Sequence, residues 1–338
     1  DHMKIREGYR IWHDHTFADD ALQAPLNTEF FDGWSMGPAT DSPFDAYEYI
    51  PGLATGGWYD PSDYDLDTAV NIEAIQDLAL AFDEFGIEYD TLMVDNAARF
   101  VELHRVDGLN DLQQQVKQGI LQILGQIENV GYVFKGLKVP TANQYIQSGD
   151  PSKVTDGLRY DSSLDENDTY GLRSGKKDDR LAFAGIIDEA LQFEAAAALA
   201  SASYVLKGFD DDLAVRCLEA AEDIWEKFDP LGSQPMVVDD GLRAAEWKAA
   251  IELLIATNGS KDECKQLLNI SSIQQLSPER YGMSGWKAVR VLKYMDEEVL
   301  DKFMTALEEY IPVLEDKISA NPFGVPVEEG NTGVLNMA

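Results

Sequence analysis

The sequence predicts an all-α fold, with helices paired into antiparallel hairpins around a common axis. Three observations carry this prediction. Apolar residues recur at helical spacing through most of the 338 residues. Strand-type alternation is scarce, and most connections between the helical stretches are short, as in stacked hairpins. The Ala-rich stretch over residues 190–202, with Leu191, Phe193 and Leu199 interspersed, has a small-residue surface that lets neighbouring helices approach closely. Such a helix belongs to the inner ring of a helical barrel.

Taken in order, residues 66–85 place Ile72, Ile75, Leu78, Phe82 and Phe85 on one face, and Gly86 stands where a helix stops. The same spacing predicts helices over 91–105, 112–128, 182–207, 212–228, 240–257, 261–269, 285–294 and 297–317. Two stretches break the pattern. Residues 25–65 are rich in Gly, Pro, Asp and aromatics, among them Phe30, Phe31, Trp34, Phe44, Tyr47, Tyr49, Trp58 and Tyr59. That aromatic density is wrong for disorder and predicts an ordered loop lining a cleft. Residues 136–180 are polar and turn-rich, a second long loop on the helical scaffold.

Composition narrows the function. The net charge is −34, from 61 acidic and 27 basic residues. Without a Lys/Arg patch there is nothing to bind a phosphate backbone, so no nucleic-acid partner is expected. The same charge disfavours anionic membrane surfaces. No stretch approaches the ~20 apolar residues of a membrane span, so no membrane insertion is expected either. The opening Asp1-His2-Met3 reads as a cloning scar, which leaves localisation unread in the residues. Cys217 and Cys264, both in helical stretches, read as buried thiols. His13 and His15 have a spacing suited to an extended strand and no third ligand nearby, which favours a loop or surface role. His104 reads as an ordinary helix residue. The acidic group Asp161, Asp165, Asn167 and Asp168 reads as a solvated loop, with a structural calcium as its alternative; no other cofactor is expected.

The segment Gly56-Gly57-Trp58-Tyr59-Asp60-Pro61-Ser62-Asp63-Tyr64 concentrates the chemistry. Its glycines permit unusual backbone angles. Pro61 fixes a turn between Asp60 and Asp63, which precede a helix beginning near Leu66. Free N–H groups and the helix dipole keep carboxylates ionised there, as a base that activates water must be. Trp58, Tyr59 and Tyr64 suit a sugar, whose C–H faces stack on rings while its hydroxyls seek carboxylates. From their spacing alone, the two acids read rather as a structural helix N-cap. Asp63, Asp65 and Asp67 also mimic the start of a calcium loop, but Thr68 stands where Gly is required and Ala74 where Glu is required. Arg180, which follows two acids, either anchors the long loop to the barrel or reaches a sugar hydroxyl.

This segment is similar to the Gly-Gly-Trp-Tyr/His-Asp-Ala-Gly-Asp-Tyr/His signature of family 9 glycoside hydrolases. The resemblance extends to Asp178-Asp179-Arg180, the Ala-rich helix, residues 205–210 and 217–222, and Asn321-Pro322-Phe323-Gly324-Val325-Pro326, and so covers the chain from about residue 45 onward. It implies an (α/α)6 barrel and inverting hydrolysis of β-linked glucans, in the manner of a cellulase or endo-β-1,4-glucanase. Asp63 would be the general base, Asp60 would help hold the attacking water, and Trp58, Tyr59, Tyr64 and Arg180 would bind substrate. It also implies a secreted or periplasmic bacterial protein. Two departures stand out. Pro61-Ser62 replaces Ala-Gly within the signature. The family's general acid, a Glu following a His-containing segment, has no match, and the nine helices fall short of the twelve in six hairpins. Residues 1–338 therefore read as a single (α/α)6 domain lacking its C-terminal hairpins, with the acid expected beyond residue 338. A non-catalytic carbohydrate-binding relative or an inactive fragment is the alternative.

Overall fold

The structure is a computed structural model, described over residues 3–17, 19–25, 42–59, 64–138, 155–185, 187–228, 240–282, 284–320 and 322–325. Its frame is three successive helical hairpins: α1 (Thr68–Phe85) with α2 (Asp111–Val130), α3 (Glu189–Val205) with α4 (Asp211–Phe228), and α5 (Asp240–Ala256) with α6 (Asp262–Gln275). The short α7 (Pro278–Tyr281), a 3₁₀ helix (Gly285–Tyr294) and α8 (Glu297–Ser319) follow. The Ala-rich α3 is the hub. It packs on α1, α2, α4 and α5, and residues Ala195 to Ala200 are fully buried. Alanine side chains there let four helices converge at close-packed density.

Sequence chemistry sets the helix ends. Asp67 caps α1 by accepting from the Ala69 and Val70 amides, Asn110 caps α2, and Asp188 caps α3. Helix α1 stops at Gly86 in left-handed backbone, as its position predicts. Ile72, Ile75 and Ala79 bury its inner face, but Phe85 is 74% exposed, so the predicted stripe ends before it.

The helix predicted over 91–105 is instead a hairpin, β5 (Leu92–Asp95) and β6 (Phe100–Leu103). It joins β1 (Lys4–Glu7) and β2 (Arg10–His13) in a sheet of order β2-β1-β6-β5. Here β1 pairs with β6 in parallel. Likewise, the helix predicted over 182–207 begins only at Glu189, because Leu181–Ala182 is a strand, β11. A second sheet, of order β3-β11-β7-β4, unites β3 (Leu22–Gln23), β4 (Leu66–Asp67) and β7 (Gly136–Lys138) with β11. A third small sheet joins β8 (Arg159–Tyr160), β9 (Thr169–Tyr170) and β10 (Arg173–Ser174). The second sheet sits on its own apolar cluster, including Ile50, Leu53, Leu66, Phe134 and Leu137. This layer, outside the main helical core, carries the candidate site.

Candidate active site

Asp60 and Asp63 lie outside the described residues, as do Phe30, Phe31 and Trp34 of the aromatic stretch. What is described is the frame that brackets the two acids. On the N-terminal side, Gly56 and Gly57 adopt φ of +75° and +74°. A Cβ at Gly56 would fall 2.5 Å from the Gln118 carbonyl oxygen and 2.9 Å from the Gln122 nitrogen, so only glycine lets this strand of chain lie on α2. The Gly57 amide donates to the Gln118 carbonyl at 2.9 Å.

Trp58 is fixed from both helices of the first hairpin. Its amide donates to Asn71 Oδ1 at 2.7 Å, and Asn71 Nδ2 returns a bond to the Trp58 carbonyl at 3.1 Å. Its indole Nε1 donates to Gln115 Oε1 at 3.2 Å. The ring lies against α2 at Gly119, where a Cβ would meet it at 2.6 Å. Trp58 is half-buried and braced on the helical core.

Tyr59 shares a 2.7 Å hydrogen bond between its hydroxyl and Thr16 Oγ1, and its ring meets Phe17 edge-on at 5.5 Å. Burial pushes its phenol well above the usual range. Tyr64, immediately after Asp63, has φ of +61°, a left-handed conformation rare for a residue with a side chain. Its ring stands 6.3 Å from that of Tyr59.

Arg180 holds this exit conformation. Its Nη1 donates to the Tyr64 carbonyl at 2.5 Å, and its Nε pairs with Asp20. The guanidinium carbon lies 4.1 Å from the centre of the Phe17 ring and 4.7 Å from that of Tyr59. Arg180 is fully buried. These contacts are those of an anchor joining the N-terminal segment, the signature and β11. Asp179, beside it, is pushed up to about 9 by burial and by the neighbouring Asp20 carboxylate, with the Tyr160 amide as its hydrogen-bond donor.

Asp67 takes the first free amides of α1 and also pairs with Lys138 at 3.1 Å. Between Asp63 and the helix runs β4, not helix, so α1 begins later than the sequence predicts. The cap position is thereby filled without Asp60 or Asp63.

Elsewhere, His15 Nε2 lies 3.0 Å from the Arg99 carbonyl and His104 Nδ1 lies 2.8 Å from Glu7. His104 is therefore at a strand end rather than in a helix. Cys217 and Cys264 are buried, and burial pushes both thiols up to about 12. Asp161 accepts from the Ser163 amide and hydroxyl and pairs with Arg173 at 3.2 Å. Among the described residues no group of three or more His, Cys, Asp or Glu side chains could hold a metal ion. No helix among them is long and apolar enough to cross a membrane.

Sequence reasoning missed Asp20, Thr16 and Phe17, which come from a stretch without motif, and Asn71, Gln115 and Gln118, which are ordinary polar helix residues by composition. The one available signal was the position of Gln115 and Gln118 on the α2 face beside Gly119.

No curated protein matches the chain. Among solved structures, a metagenome-derived glycoside hydrolase family 9 endoglucanase has a TM-score of 0.59 at 16% identity, covering 93% of this chain and 52% of its own. A mutant endoglucanase from Alicyclobacillus acidocaldarius has a TM-score of 0.57 at 19% identity, covering 92% and 56%. An endoglucanase from the termite Nasutitermes takasagoensis has a TM-score of 0.56 at 16% identity, covering 94% and 62%. These identities speak for the fold alone, an (α/α)6 barrel, and the chain spans between 52% and 62% of the length of these three. The profile of glycosyl hydrolase family 9 matches residues 42–323, from the loop before the signature to just beyond α8, and by that match the chain belongs to this family.

Proposed function

We propose that this chain carries the base side of an inverting glycoside hydrolase acting on a neutral β-linked glucan. The observation that supports it most is the bracketing of Asp60 and Asp63. Tyr59 and Tyr64, their flanking residues, are held by Thr16, Phe17 and the buried Arg180, while Asp67 serves the helix end in their place. In this reading Asp63 takes a proton from water as the water attacks the anomeric carbon, and Asp60 helps hold that water. The leaving oxygen needs a proton from a second carboxyl, roughly 6.5–9.5 Å from the base, so that water fits between them. The family resemblance assigns that acid to a Glu without counterpart in these 338 residues. Tyr59, Tyr64 and Trp58 define the substrate side, and Arg180 acts through the position of Tyr64.

The test is reducing-sugar release from a soluble β-glucan by the 338-residue chain and by a longer chain carrying the rest of the family domain. The short chain should bind glucan with little hydrolysis. In the longer chain, Asp63→Asn should lower turnover by ~10²–10⁴-fold, the worth of general-base assistance, because an amide cannot accept the proton. Wild-type turnover by Asp63→Asn would remove the base assignment, and robust turnover by the short chain would show that the acid lies within it.

A further inference from the structure

Two cations hold the chain where it leaves the signature. Arg180 donates to the Tyr64 carbonyl. Lys138, at the end of β7, places its ammonium 3.4 Å from Asp65 Oδ2 and 3.1 Å from Asp67 Oδ2. The strand ladder explains this double contact. β4 and β7 run antiparallel, with Leu66 opposite Leu137 and Asp67 opposite Gly136. Continuing that register puts Asp65 opposite Lys138. Asp65 and Asp67 are two residues apart, so both project from one face of the strand, while Leu66 enters the apolar cluster on the other. One ammonium thus meets its direct cross-strand partner and the diagonal one. Gly136 lets the strands come this close, since a Cβ there would collide with the Leu66 carbonyl. On the far side of β7, Leu181, the neighbour of Arg180, stands opposite Lys138. Both cations are therefore built into one three-strand patch.

Burial by itself would push the Lys138 ammonium down. The Asp65 and Asp67 carboxylates outweigh that and hold it above the ordinary lysine range, so it stays charged. The helix end does not depend on this cation. Asp67 caps α1 through Oδ1 and meets Lys138 through Oδ2, so the cap would stand without the lysine. What the lysine adds is a fixed position for the strand that follows Tyr64. Asp63 precedes Asp65 by two residues, and two residues of chain reach at most about 7 Å. A pin at Asp65 therefore limits where Asp63 can sit.

We propose that Lys138 is a positioning residue for the hydrolytic base: by bridging Asp65 and Asp67 it fixes the strand from which Asp63 is presented to the attacking water. This rests on the reading of Asp63 as the base, and it adds a residue that touches neither sugar nor water. Its effect runs through the backbone, so it is felt in the chemical step rather than in sugar binding.

The experiment is steady-state hydrolysis of a soluble β-glucan by the longer chain, at a temperature well below the melting point of every variant. Lys138→Met keeps the apolar stem and removes the charge. It should lower kcat by ~10–100-fold, the cost of misplacing a reacting group by about 1 Å, and leave KM within about twofold of the parent. Lys138→Arg, whose guanidinium can serve both carboxylates, should restore most of that kcat. Asp65→Asn removes the cross-strand partner, leaves the cap in place and should lower kcat as Lys138→Met does, which keeps the test open if Lys138→Met does not fold. A merely structural lysine would shift the melting temperature and leave kcat at the assay temperature unchanged. Parent kcat in Lys138→Met beside an inactive Asp63→Asn would overturn the proposal and leave the base reading standing. A raised KM with parent kcat would overturn it too, by placing Lys138 on the sugar. If Asp63→Asn turns over as the parent does, or the parent does not turn over at all, the base reading fails and the proposal falls with it.

Discussion

At the scale of single residues, Arg180 has the most to explain. The sequence offered two roles for it, loop anchor or sugar contact, and its burial against Asp20, Tyr64, Phe17 and Tyr59 describes the first. Removing one partner of a buried pair strands the other charge. Arg180→Ala should therefore cost about 3–5 kcal/mol in urea unfolding. Arg180→Met combined with Asp20→Leu should cost clearly less than Arg180→Ala alone, since neither change then strands a charge. A double variant as unstable as the single one would mean that packing, not charge, dominates. Asp67 is the simpler case. Asp67→Ala should cost ~1 kcal/mol in the same measurement, the usual worth of a helix cap. The aromatics of the signature were legible because their density in one loop is unusual. Thr16, Phe17 and Asp20 were not, because nothing local distinguishes them. Their role exists only through contacts made far along the chain.

Among elements, the helices with a clear apolar stripe were read to within a few residues. Helices α4 and α8 each bury one face and expose the other, so spacing alone located them. The 91–105 stretch misled because Leu92, Val94, Val101 and Leu103 fit either period, and propensity could not decide. Pairing with β1 decided it, a partner that local sequence does not show. Asp95 turns the chain by accepting from the Ala98 amide at 2.9 Å, and Arg99 follows with φ of +52°. Helix α3 was legible for the opposite reason: its alanines left it no solvent face. Ala197 is fully buried between helices. Ala197→Leu should lower stability by about 1–3 kcal/mol, seen as a lower urea midpoint with the slope unchanged. A neutral effect would mean that the inner ring is less tightly packed than it looks.

For the whole molecule, the charge of −34 speaks against a nucleic-acid partner without naming a substrate, while buried acids give a more specific expectation. Asp20 and Asp179 are raised to about 7 and about 9, chiefly by burial. Arg180 supplies one positive charge and Asp20 takes it, which leaves Asp179 as the group that stays protonated. A carboxyl with a raised folded pKa binds its proton more tightly folded than unfolded. Its stabilising contribution is present at low pH and is lost as pH rises toward the folded value. Stability should therefore fall between pH 5 and pH 9, by at most about 1.4 kcal/mol per pH unit for one proton. Melting temperatures across that range should decline in the parent and vary less in Asp179→Asn, an uncharged isostere. A parent whose melting temperature rises through this range would place the shift elsewhere.

The anchor also bears on the order of assembly. Arg180 joins Asp20, 160 residues away, and Tyr64, 116 residues away. The Gln23 side chain reaches Ala184 across 161 positions. Closing such long loops is slow, because chain entropy is lost before the contacts reward it. The helical hairpins need no such closure and can form first. The segment bearing Asp60 and Asp63 then gains its frame only when three remote stretches have met, so a half-folded chain is a chain without a site.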